Sequence, residues 1–310
     1  MNYKKSITII IPNYNGESIL KENLPIISSI ANRYNAQIIV VDDASTDGSL
    51  KFLNDFPQIK VISKQKNEGF SSTVNIGVNS SSTELVCLLN SDVLPSSNFL
   101  ESIFPYFDDP QIAGVGMQDE SDDRETHGRG RFIFHRGFLL HQKLTDTSTN
   151  QLSSGTTGWA SCGSAVFSKK IWDELGGLDE TLNPFYFEDV DFGFRCWRAG
   201  YKDMFESIST VKHVHKTGAI KTHYQENKIK TISYRNQFIF NWKNLTDISL
   251  ILQHVLFLPM NFAIALKSQD WPFFSGFFQA IMRISQIIGQ RNNEAKNNKL
   301  TDHEILNINN

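Results

Sequence analysis

Two hydrophobic patterns alternate along the first 117 residues. Short continuous apolar runs are typical of strands buried on both faces, and each is followed by apolar residues at helical spacing. The strands are predicted over Ile7–Ile11, Ile38–Val41, Ile59–Ser63, Leu85–Leu89 and Ala113–Met117. The helices are predicted over residues 18–34, 46–56, 70–79 and 99–107. This alternation predicts an α/β fold with a mostly parallel sheet flanked by helices.

The pattern changes after residue 117. The stretch Asp119–Arg131 is polar and charged, which indicates either a mobile loop near a site or a solvated surface loop. Beyond it, the sequence predicts an extended segment over Trp159–Ser168 and helices over Ser168–Leu175 and Glu188–Ala199.

The C-terminal third has a different composition. Between Lys221 and Leu245, five basic residues face one acid, Glu226. Ile248–Leu266 contains no Asp, Glu, Lys or Arg and approaches the length of a membrane-spanning helix, but polar residues and a proline interrupt it. We expect helices that pack on the preceding domain or lie on a bilayer surface, and a homodimer interface is the alternative. Residues 292–310 are rich in Asn and Lys, which predicts a flexible tail.

Composition narrows the class of protein. The net charge of −3 does not suggest nucleic acid as a partner. Cys87, Cys162 and Cys196 are far apart, which argues against a disulfide framework and a zinc site and fits a reducing compartment. The first apolar run is too short for the core of a signal peptide, so we expect a cytoplasmic protein, with the C-terminal helices as a candidate peripheral contact to the inner face of the cell membrane.

Polar residues follow three of the predicted strands. They are Pro12–Asn15, the pair Asp42 and Asp43, and Asn90–Asp92. The carboxyl ends of parallel strands meet at one edge of a sheet, where α/β proteins bind ligands. Acids among polar side chains there suit a hard divalent cation and a phosphorylated ligand. A helix cap followed by a turn is the structural alternative for Asp42 or Asp43 taken alone.

Asn67 and Gly69 lie in a second candidate segment, Lys66–Phe70. Glycine lets the backbone approach a ligand closely, and a helix that begins there can meet a nucleotide. Helix–sheet packing is an equally good explanation for the small residues that follow.

The third and fourth candidates carry acids and histidines. Glu188 and Asp189 lie where an apolar segment meets a predicted helix, a suitable position for a general base. Asp191 is spaced to pair with Arg195 at i, i+4, so we assign it a structural role. His213 and His215 alternate along a predicted strand and therefore share a face, where an imidazole can bind a metal.

Together these blocks resemble the family 2 inverting glycosyltransferases, and the resemblance covers residues 6–218. It depends on the strand-end Pro-x-Tyr-Asn sequence and on four further motifs, none of which is specific alone. These motifs are Val41–Gly48 (Val-Asp-Asp-Ala-Ser-Thr-Asp-Gly), Asn67–Phe70 (Asn-Glu-Gly-Phe), Leu88–Asp92 (Leu-Leu-Asn-Ser-Asp) and Gly176–Glu180 with Glu188–Asp191. The segment Arg235–Asn244 also resembles the part that follows the catalytic domain in rhamnosyltransferase-like enzymes of bacterial cell-surface polysaccharides.

The resemblance implies a GT-A fold, which is Rossmann-like, and a set of residue roles. Asp43 would bind the nucleobase, Asp189 would be the base beside Glu188, and Asp92 with His213 or His215 would bind Mg²⁺ or Mn²⁺. Asn90 stands where relatives often carry the first Asp of an Asp-x-Asp block. The remaining nucleotide-binding residues would be Pro12, Tyr14, Asn15, Asp42, Asn67, Gly69 and Asn90. The sugar and acceptor would meet Trp159, Gly163 and Ser164.

The resemblance also implies an organisation and an activity. A catalytic domain would span residues 1–220, with a nucleotide-binding half over about 1–117 and an acceptor half over about 118–220. A helical extension over 221–291 and the tail would follow. The expected reaction moves a sugar from a UDP- or dTDP-sugar donor to a hydroxyl of a glycan or lipid-linked acceptor in cell-surface polysaccharide synthesis. The alternative from another class is a non-catalytic scaffold that binds nucleotide-sugar or glycan in a polysaccharide assembly complex.

Overall fold

A computed structural model describes residues 5–122, 125–144, 152–213, 224–294 and 298–308. Its first part alternates strands and helices as the hydrophobic pattern predicts. The strands are β1 (Ile7–Asn13), β2 (Gln37–Asp42), β3 (Lys60–Ser63), β4 (Leu85–Leu89) and β5 (Val93–Pro95). The helices are α1 (Glu17–Arg33), α2 (Ser49–Leu53) and α3 (Phe70–Asn79).

The helix predicted over 99–107 is wrong. That stretch holds turns followed by a short 3₁₀-helix, Phe104–Asp108. Pro105 lies in its first turn. Proline lacks an N–H and disfavours the α conformation in the residue before it, so an α-helix cannot run through this position without a break.

The second part of the domain builds the rest of the sheet. Its strands are β6 (Ile112–Asp122), β7 (Glu125–His127), β8 (Gly130–His135), β9 (Phe138–Lys143), β10 (Gly155–Thr157), β11 (Ser164–Ser168) and β12 (Lys202–His213). Its helices are α4 (Lys169–Glu174) and α5 (Glu188–Arg198). The loop expected over Asp119–Arg131 is largely wrong, because β6 extends through Asp122 and pairs antiparallel with β7. Backbone pairing makes this polar stretch extended despite its composition.

The strand order of the main sheet is β10-β12-β6-β11-β4-β1-β2-β3, with β5 on β12 and β7 on β6. The neighbours β4, β1, β2 and β3 are parallel, as are β6 and β12. β11 runs antiparallel to both of its neighbours, β4 and β6. The predicted α/β class with a mostly parallel sheet is therefore confirmed, and β8 and β9 form a separate hairpin.

The C-terminal extension is helical. It consists of α6 (Glu226–Asn244), α7 (Ile248–Lys267), α8 (Trp271–Ile281), α9 (Ile284–Glu294) and α10 (Asp302–Leu306). An aromatic-rich cluster joins α6, α7 and α8 to the hairpin and to α5. Among the described residues, α7 is the one helix long and apolar enough to cross a membrane by length and composition.

The end of the chain is more ordered than its composition predicts. A capping box formed by Thr301 and Glu304 begins α10. Asp302 is fully buried, bonds to Arg198 and accepts backbone N–H groups of Thr246 and Asp247 at 2.7 and 2.6 Å. These bonds hold α10 against the domain, which a count of Asn and Lys residues does not reveal.

Candidate functional site

The ends of β1 and β2 are joined by a buried side-chain bond. The register places Asn13 opposite Asp42, and Asn13 Nδ2 donates to Asp42 Oδ2 at 2.8 Å. The other oxygen of Asp42 accepts the N–H of Ser45 at 2.9 Å, and Asp42 is fully buried. Asp42 therefore shapes the loop at the edge of the sheet. Asn13, which the sequence analysis passed over between Pro12 and Tyr14, has a buried Oδ1 without a partner among the described residues.

Asp43 connects this loop to the start of α3. Its carboxylate accepts the backbone N–H groups of Glu68 and Gly69, each at 2.9 Å, and lies 2.7 Å from Lys64 Nζ. Gly69 has a φ of +92°, and a Cβ there would lie 2.8 Å from the backbone of Pro184. Glycine is therefore required at this position, and the acid predicted to bind the nucleobase also organises the predicted nucleotide segment.

The remaining predicted nucleotide residues lie on the same edge. Asn15 adopts a φ of +51°, and its Oδ1 accepts the Thr46 N–H at 2.7 Å. Pro12 and Tyr14 are half-buried, while Asn67 is exposed.

The sequence analysis missed Tyr224, which the C-terminal extension contributes to this edge. Its ring packs edge-on against Phe185 at 4.9 Å, and burial, Tyr14 and Asp43 together raise the pKa of its phenol. Only the three-dimensional packing reveals Tyr224 here, because it lies about 180 residues from Asp43 in the chain.

Asp92 and His213 are brought together by pairing of β5 with β12. Val93 lies opposite His213 in that pairing, so Asp92 comes directly before the paired residue and is close enough for its charge to act on the imidazole. His213 Nδ1 lies 2.8 Å from Asp119 Oδ2. That hydrogen bond is the main influence that raises the pKa of His213, burial opposes it, and the Asp92 carboxylate adds to it.

This donor set fits a hard divalent cation. A carboxylate and an imidazole are available, and Asp119 holds one ring nitrogen in the manner of the outer carboxylates that orient metal-binding histidines. Among the described residues, no group of three His, Cys, Asp or Glu is arranged as a complete metal site. His215 lies outside the described residues.

Asn90 stands at the end of β4, against the predicted acceptor segment. Its N–H donates to the Gly163 carbonyl at 3.0 Å, and a Cβ on Gly163 would lie 2.8 Å from Asn90 Nδ2. Ser164 begins β11 and is buried. Trp159 is 8% exposed and packs across Gly193, so most of its surface is already covered by the protein.

Glu188 and Asp189 lie at the first turn of α5, after two residues with left-handed backbone, Tyr186 and Phe187, both at a φ of +74°. Burial raises the pKa of both carboxyls, and the charge of Asp189 raises that of Glu188 further. Glu188 Oε2 is buried without a partner in the described part of the chain. Two adjacent acids that resist ionisation are candidates for proton transfer.

Asp191 has the structural role that its spacing predicts. Arg195 Nε donates to Asp191 Oδ2 at 2.9 Å. The fully buried Lys243 Nζ lies 2.7 Å from both Asp191 and Asp179. This ion cluster joins α5, the Gly-Gly-Leu-Asp segment and α6 behind the candidate site.

Comparison with known proteins agrees with this architecture. The family described as Glycosyl transferase family 2 matches residues 8–176, more than half of the chain. The pre-mycofactocin glycosyltransferase of Mycobacterium tuberculosis is 28% identical over 69% of this chain and 43% of its own length. The O-antigen chain rhamnosyltransferase RfbN of Salmonella typhimurium is 26% identical over 67% of this chain and 66% of its own length.

A solved structure supports the fold. The mannosyltransferase PcManGT from Pyrobaculum calidifontis, in complex with GDP-Man and Mn²⁺, superposes with a TM-score of 0.56 at 14% identity. The similarity covers 95% of this chain and 80% of that one. The chain spans less than half the length of the mycobacterial relative, so that protein's activity is not carried over here. With the family match over residues 8–176, the chain belongs to glycosyl transferase family 2.

Proposed function

We propose that this protein transfers a sugar from a UDP- or dTDP-sugar to a hydroxyl of a glycan or lipid-linked acceptor, with inversion at the anomeric carbon, during cell-surface polysaccharide synthesis. One observation carries the proposal. The turn that leads into the acid pair is bonded to the start of α3: Phe70 N–H donates to the Pro184 carbonyl at 3.0 Å, and Ser71 N–H donates to Asn183 Oδ1 at 3.0 Å. These bonds connect the nucleotide edge to the turn that precedes the acid pair, which supports a single site.

The acids have different proposed roles, which follow from their different surroundings. In this proposal Asp43 binds the nucleobase, while Asp92 and His213 face the donor diphosphate. A divalent cation held there would stabilise the charge that grows on the leaving diphosphate. The oxygen and imidazole donors of this set support Mg²⁺ or Mn²⁺.

Asp189 is the proposed base. Its carboxylate removes the proton from the acceptor hydroxyl as that oxygen attacks the anomeric carbon from the face opposite the departing nucleotide. A single displacement of this kind inverts the configuration. Burial brings the pKa of Asp189 closer to neutrality, which suits a base that must be ionised before the reaction and protonated after it. Burial and the charge of Asp189 raise the pKa of Glu188, which favours its protonated form. Asp189 is then the carboxylate that takes the proton from the acceptor hydroxyl.

The scaffold alternative is less well supported. A protein that only holds nucleotide-sugar has no need for a pair of desolvated carboxyls beside the ligand, because their burial without ionic partners is unfavourable.

α7 provides the proposed membrane contact. Its inner face is fixed to the hairpin, where His254 Nδ1 lies 2.6 Å from the Gly137 carbonyl and Asn261 Nδ2 donates to the Arg136 carbonyl at 3.0 Å. Its outer face is a stripe of apolar residues, each between 36% and 75% exposed, which comprises Ile248, Leu252, Val255, Leu256, Met260 and Ile264. No acid lies between Ile248 and Lys267. A helix fixed along its side is suited to lie flat in the lipid interface and bury this stripe there.

A donor screen tests the proposed activity. Thermal unfolding would be followed with Mn²⁺ and each of UDP-glucose, UDP-galactose, UDP-N-acetylglucosamine and dTDP-rhamnose, with GDP-mannose as a comparison. We expect stabilisation by at least one uridine or deoxythymidine donor. Absence of a shift with every uridine and deoxythymidine donor would count against the proposal.

A further inference from the structure

The turn in front of Glu188 and Asp189 has an uncommon backbone. Tyr186 and Phe187 both adopt a left-handed φ of +74°, although neither is glycine. Consecutive left-handed residues with large side chains persist only where surrounding contacts hold them. Local sequence alone therefore does not explain why the acid pair is presented in this geometry.

Asn236 of α6 supplies the central contacts. It is fully buried, and its Nδ2 donates to the carbonyl oxygens of Leu182, Phe185 and Tyr186 at 2.6, 2.9 and 2.8 Å. One amide group thus holds carbonyls from the beginning and the end of the turn. Asn236 Oδ1 accepts from Arg235 Nε at 2.9 Å, which orients the amide so that its donors face the turn.

Arg235 extends the same contact. Its Nη2 donates to the carbonyl oxygen of Asn183 at 2.6 Å and to that of Leu182 at 3.3 Å. The side chain is buried, and no carboxylate among the described residues forms an ion pair with it. A buried guanidinium that is directed at backbone carbonyls in place of an acid is well placed to fix a backbone conformation.

The opposite side of the turn meets the nucleotide edge. The bonds from Phe70 and Ser71 reach Pro184 and Asn183, and Gly69 permits the close approach of both. The turn is therefore held between the start of α3 and the middle of α6. Glu188 and Asp189 follow it directly.

We propose that Arg235 and Asn236 are positioning residues that hold the turn 182–187 and thereby set the placement of the Glu188–Asp189 pair relative to the nucleotide edge. The inference rests on the proposed function for its catalytic consequence. It makes the C-terminal extension a part of the active site, with α6 acting through the turn and not through contact with substrate.

The first test needs no substrate. Hydrogen–deuterium exchange of the full-length protein would be compared for wild type, Asn236→Ala and Asn241→Ala. Asn241 is a matched control: it is fully buried on the same helix and makes three bonds, but these go to both backbone groups of Leu139 and to Gln237. We expect faster exchange of peptides that cover residues 183–189 in Asn236→Ala and unchanged exchange there in Asn241→Ala. Wild-type exchange of this segment in Asn236→Ala would overturn the proposal.

The second test separates positioning from stability. Nucleotide release from the donors of the panel, with water as the sugar acceptor, would be measured across pH for the same variants and for Arg235→Lys. A displaced base lowers kcat by about 10- to 100-fold in Asn236→Ala and less in Arg235→Lys, while the donor KM stays within about threefold. We also expect the acid limb of the kcat profile to move to lower pH, because a loosened turn admits water to the pair. Equal kcat losses and no change of the acid limb in Asn236→Ala and Asn241→Ala would show a merely structural role.

Asp189→Asn is measured in parallel, because it tests the proposed function separately from the positioning role of Arg235 and Asn236. Full turnover in Asp189→Asn would refute the proposed function, while the exchange experiment would still report on the turn. Loss of turnover in Asp189→Asn together with wild-type kcat in Asn236→Ala would refute the positioning role alone.

Discussion

The Asp119 carboxylate lies 2.8 Å from Nδ1 of His213, so this side chain of β6 holds the imidazole that β12 presents beside Asp92. The sequence contains a signal for His213, in its alternation with His215. It contains no comparable signal for Asp119, which belongs to a polar stretch interpreted as a loop. The pairing of β6 with β12 brings the two together.

Loss of Asp119 should weaken metal binding. An outer carboxylate fixes the tautomer and orientation of its histidine, and its removal typically costs about 10- to 100-fold in metal affinity. We expect a loss of that size in Asp119→Ala when Mn²⁺ binding is titrated by calorimetry in the presence of UDP. Asp109→Ala, at an exposed acid on the surface, is the control and should bind Mn²⁺ as wild type does. Equal Mn²⁺ affinity in the two variants would remove Asp119 from the metal site.

Lys243 should be among the most sensitive positions for stability. Its ammonium is fully buried between Asp179 and Asp191, and their charges are the main reason that its pKa is raised in spite of its burial. Lys243→Met leaves two buried carboxylates without their partner, which typically costs about 3–5 kcal/mol. Chemical denaturation should show a loss of that size. A loss below about 1 kcal/mol would mean that Arg195 and water compensate for the missing ammonium.

Asp203 should make stability depend on pH. It is fully buried on β12, and burial raises the pKa of its carboxyl from 3.8 to about 8. Between these values the unfolded chain is ionised while the folded protein keeps the proton, so unfolding releases a proton and the free energy of unfolding falls as pH rises. The slope for one such proton is about 1.4 kcal/mol per pH unit.

Asp203→Asn replaces the carboxyl that holds this proton with an amide that does not titrate. We expect the melting temperature of the variant to fall less steeply between pH 5 and pH 8 than that of wild type. In the free energy of unfolding, the two slopes should differ by about the slope of one proton. Asp55→Asn, at an exposed position, should leave the wild-type slope unchanged. Parallel slopes in wild type and Asp203→Asn would contradict a protonated Asp203 in the folded protein.

The outer stripe of α7 should determine lipid binding. Leu252→Glu combined with Leu256→Glu places two charges on a surface proposed to enter the lipid interface, so the fraction of protein that floats with anionic liposomes should fall by at least about fivefold. Ile208→Glu is a matched control, because Ile208 is 71% exposed on β12, away from this helix. If the double variant floats as wild type does, and instead changes from dimer to monomer in light scattering, the stripe is a homodimer interface.

The sequence predicted the central strands because continuous apolar runs are a local pattern, and the same patterns place the polar residues at the strand ends. Ile7–Ile11 and Leu85–Leu89 are continuous apolar runs, and they lie in neighbouring parallel strands at the centre of the sheet. The pairing of Asp191 with Arg195 also follows from spacing alone. The predictions that failed were decided by local features that a count of polar and apolar residues does not show. A short antiparallel pairing of β6 with β7 makes the polar stretch extended, and Pro105 interrupts the helix predicted over 99–107.

Part of the candidate site could not be predicted because it depends on contacts between residues that are far apart in the chain. Asn13, Asp119, Tyr224 and Asn236 act through contacts with residues that are between 29 and about 180 positions away. Asn13 and Asn236 lie in segments that the sequence singles out, Pro12–Asn15 and Arg235–Asn244, but their contacts are not evident from it. Nothing near Asp119 or Tyr224 in the sequence distinguishes these two from surface polar residues. Their roles became visible only when the strand register and the docking of α6 had placed them.

The most direct test of the account is the rate of nucleotide release by Asp189→Asn. Wild type and variant would be compared with Mn²⁺ and the donor that stabilises the wild type most, after circular dichroism and UDP binding have shown that the variant is folded and binds nucleotide. Water is the sugar acceptor in this assay, and we expect a fall of about 10²- to 10⁴-fold in kcat with little change in UDP affinity, because the amide cannot accept the proton of the attacking water. A folded, UDP-binding Asp189→Asn protein that turns over within about threefold of wild type would contradict the account.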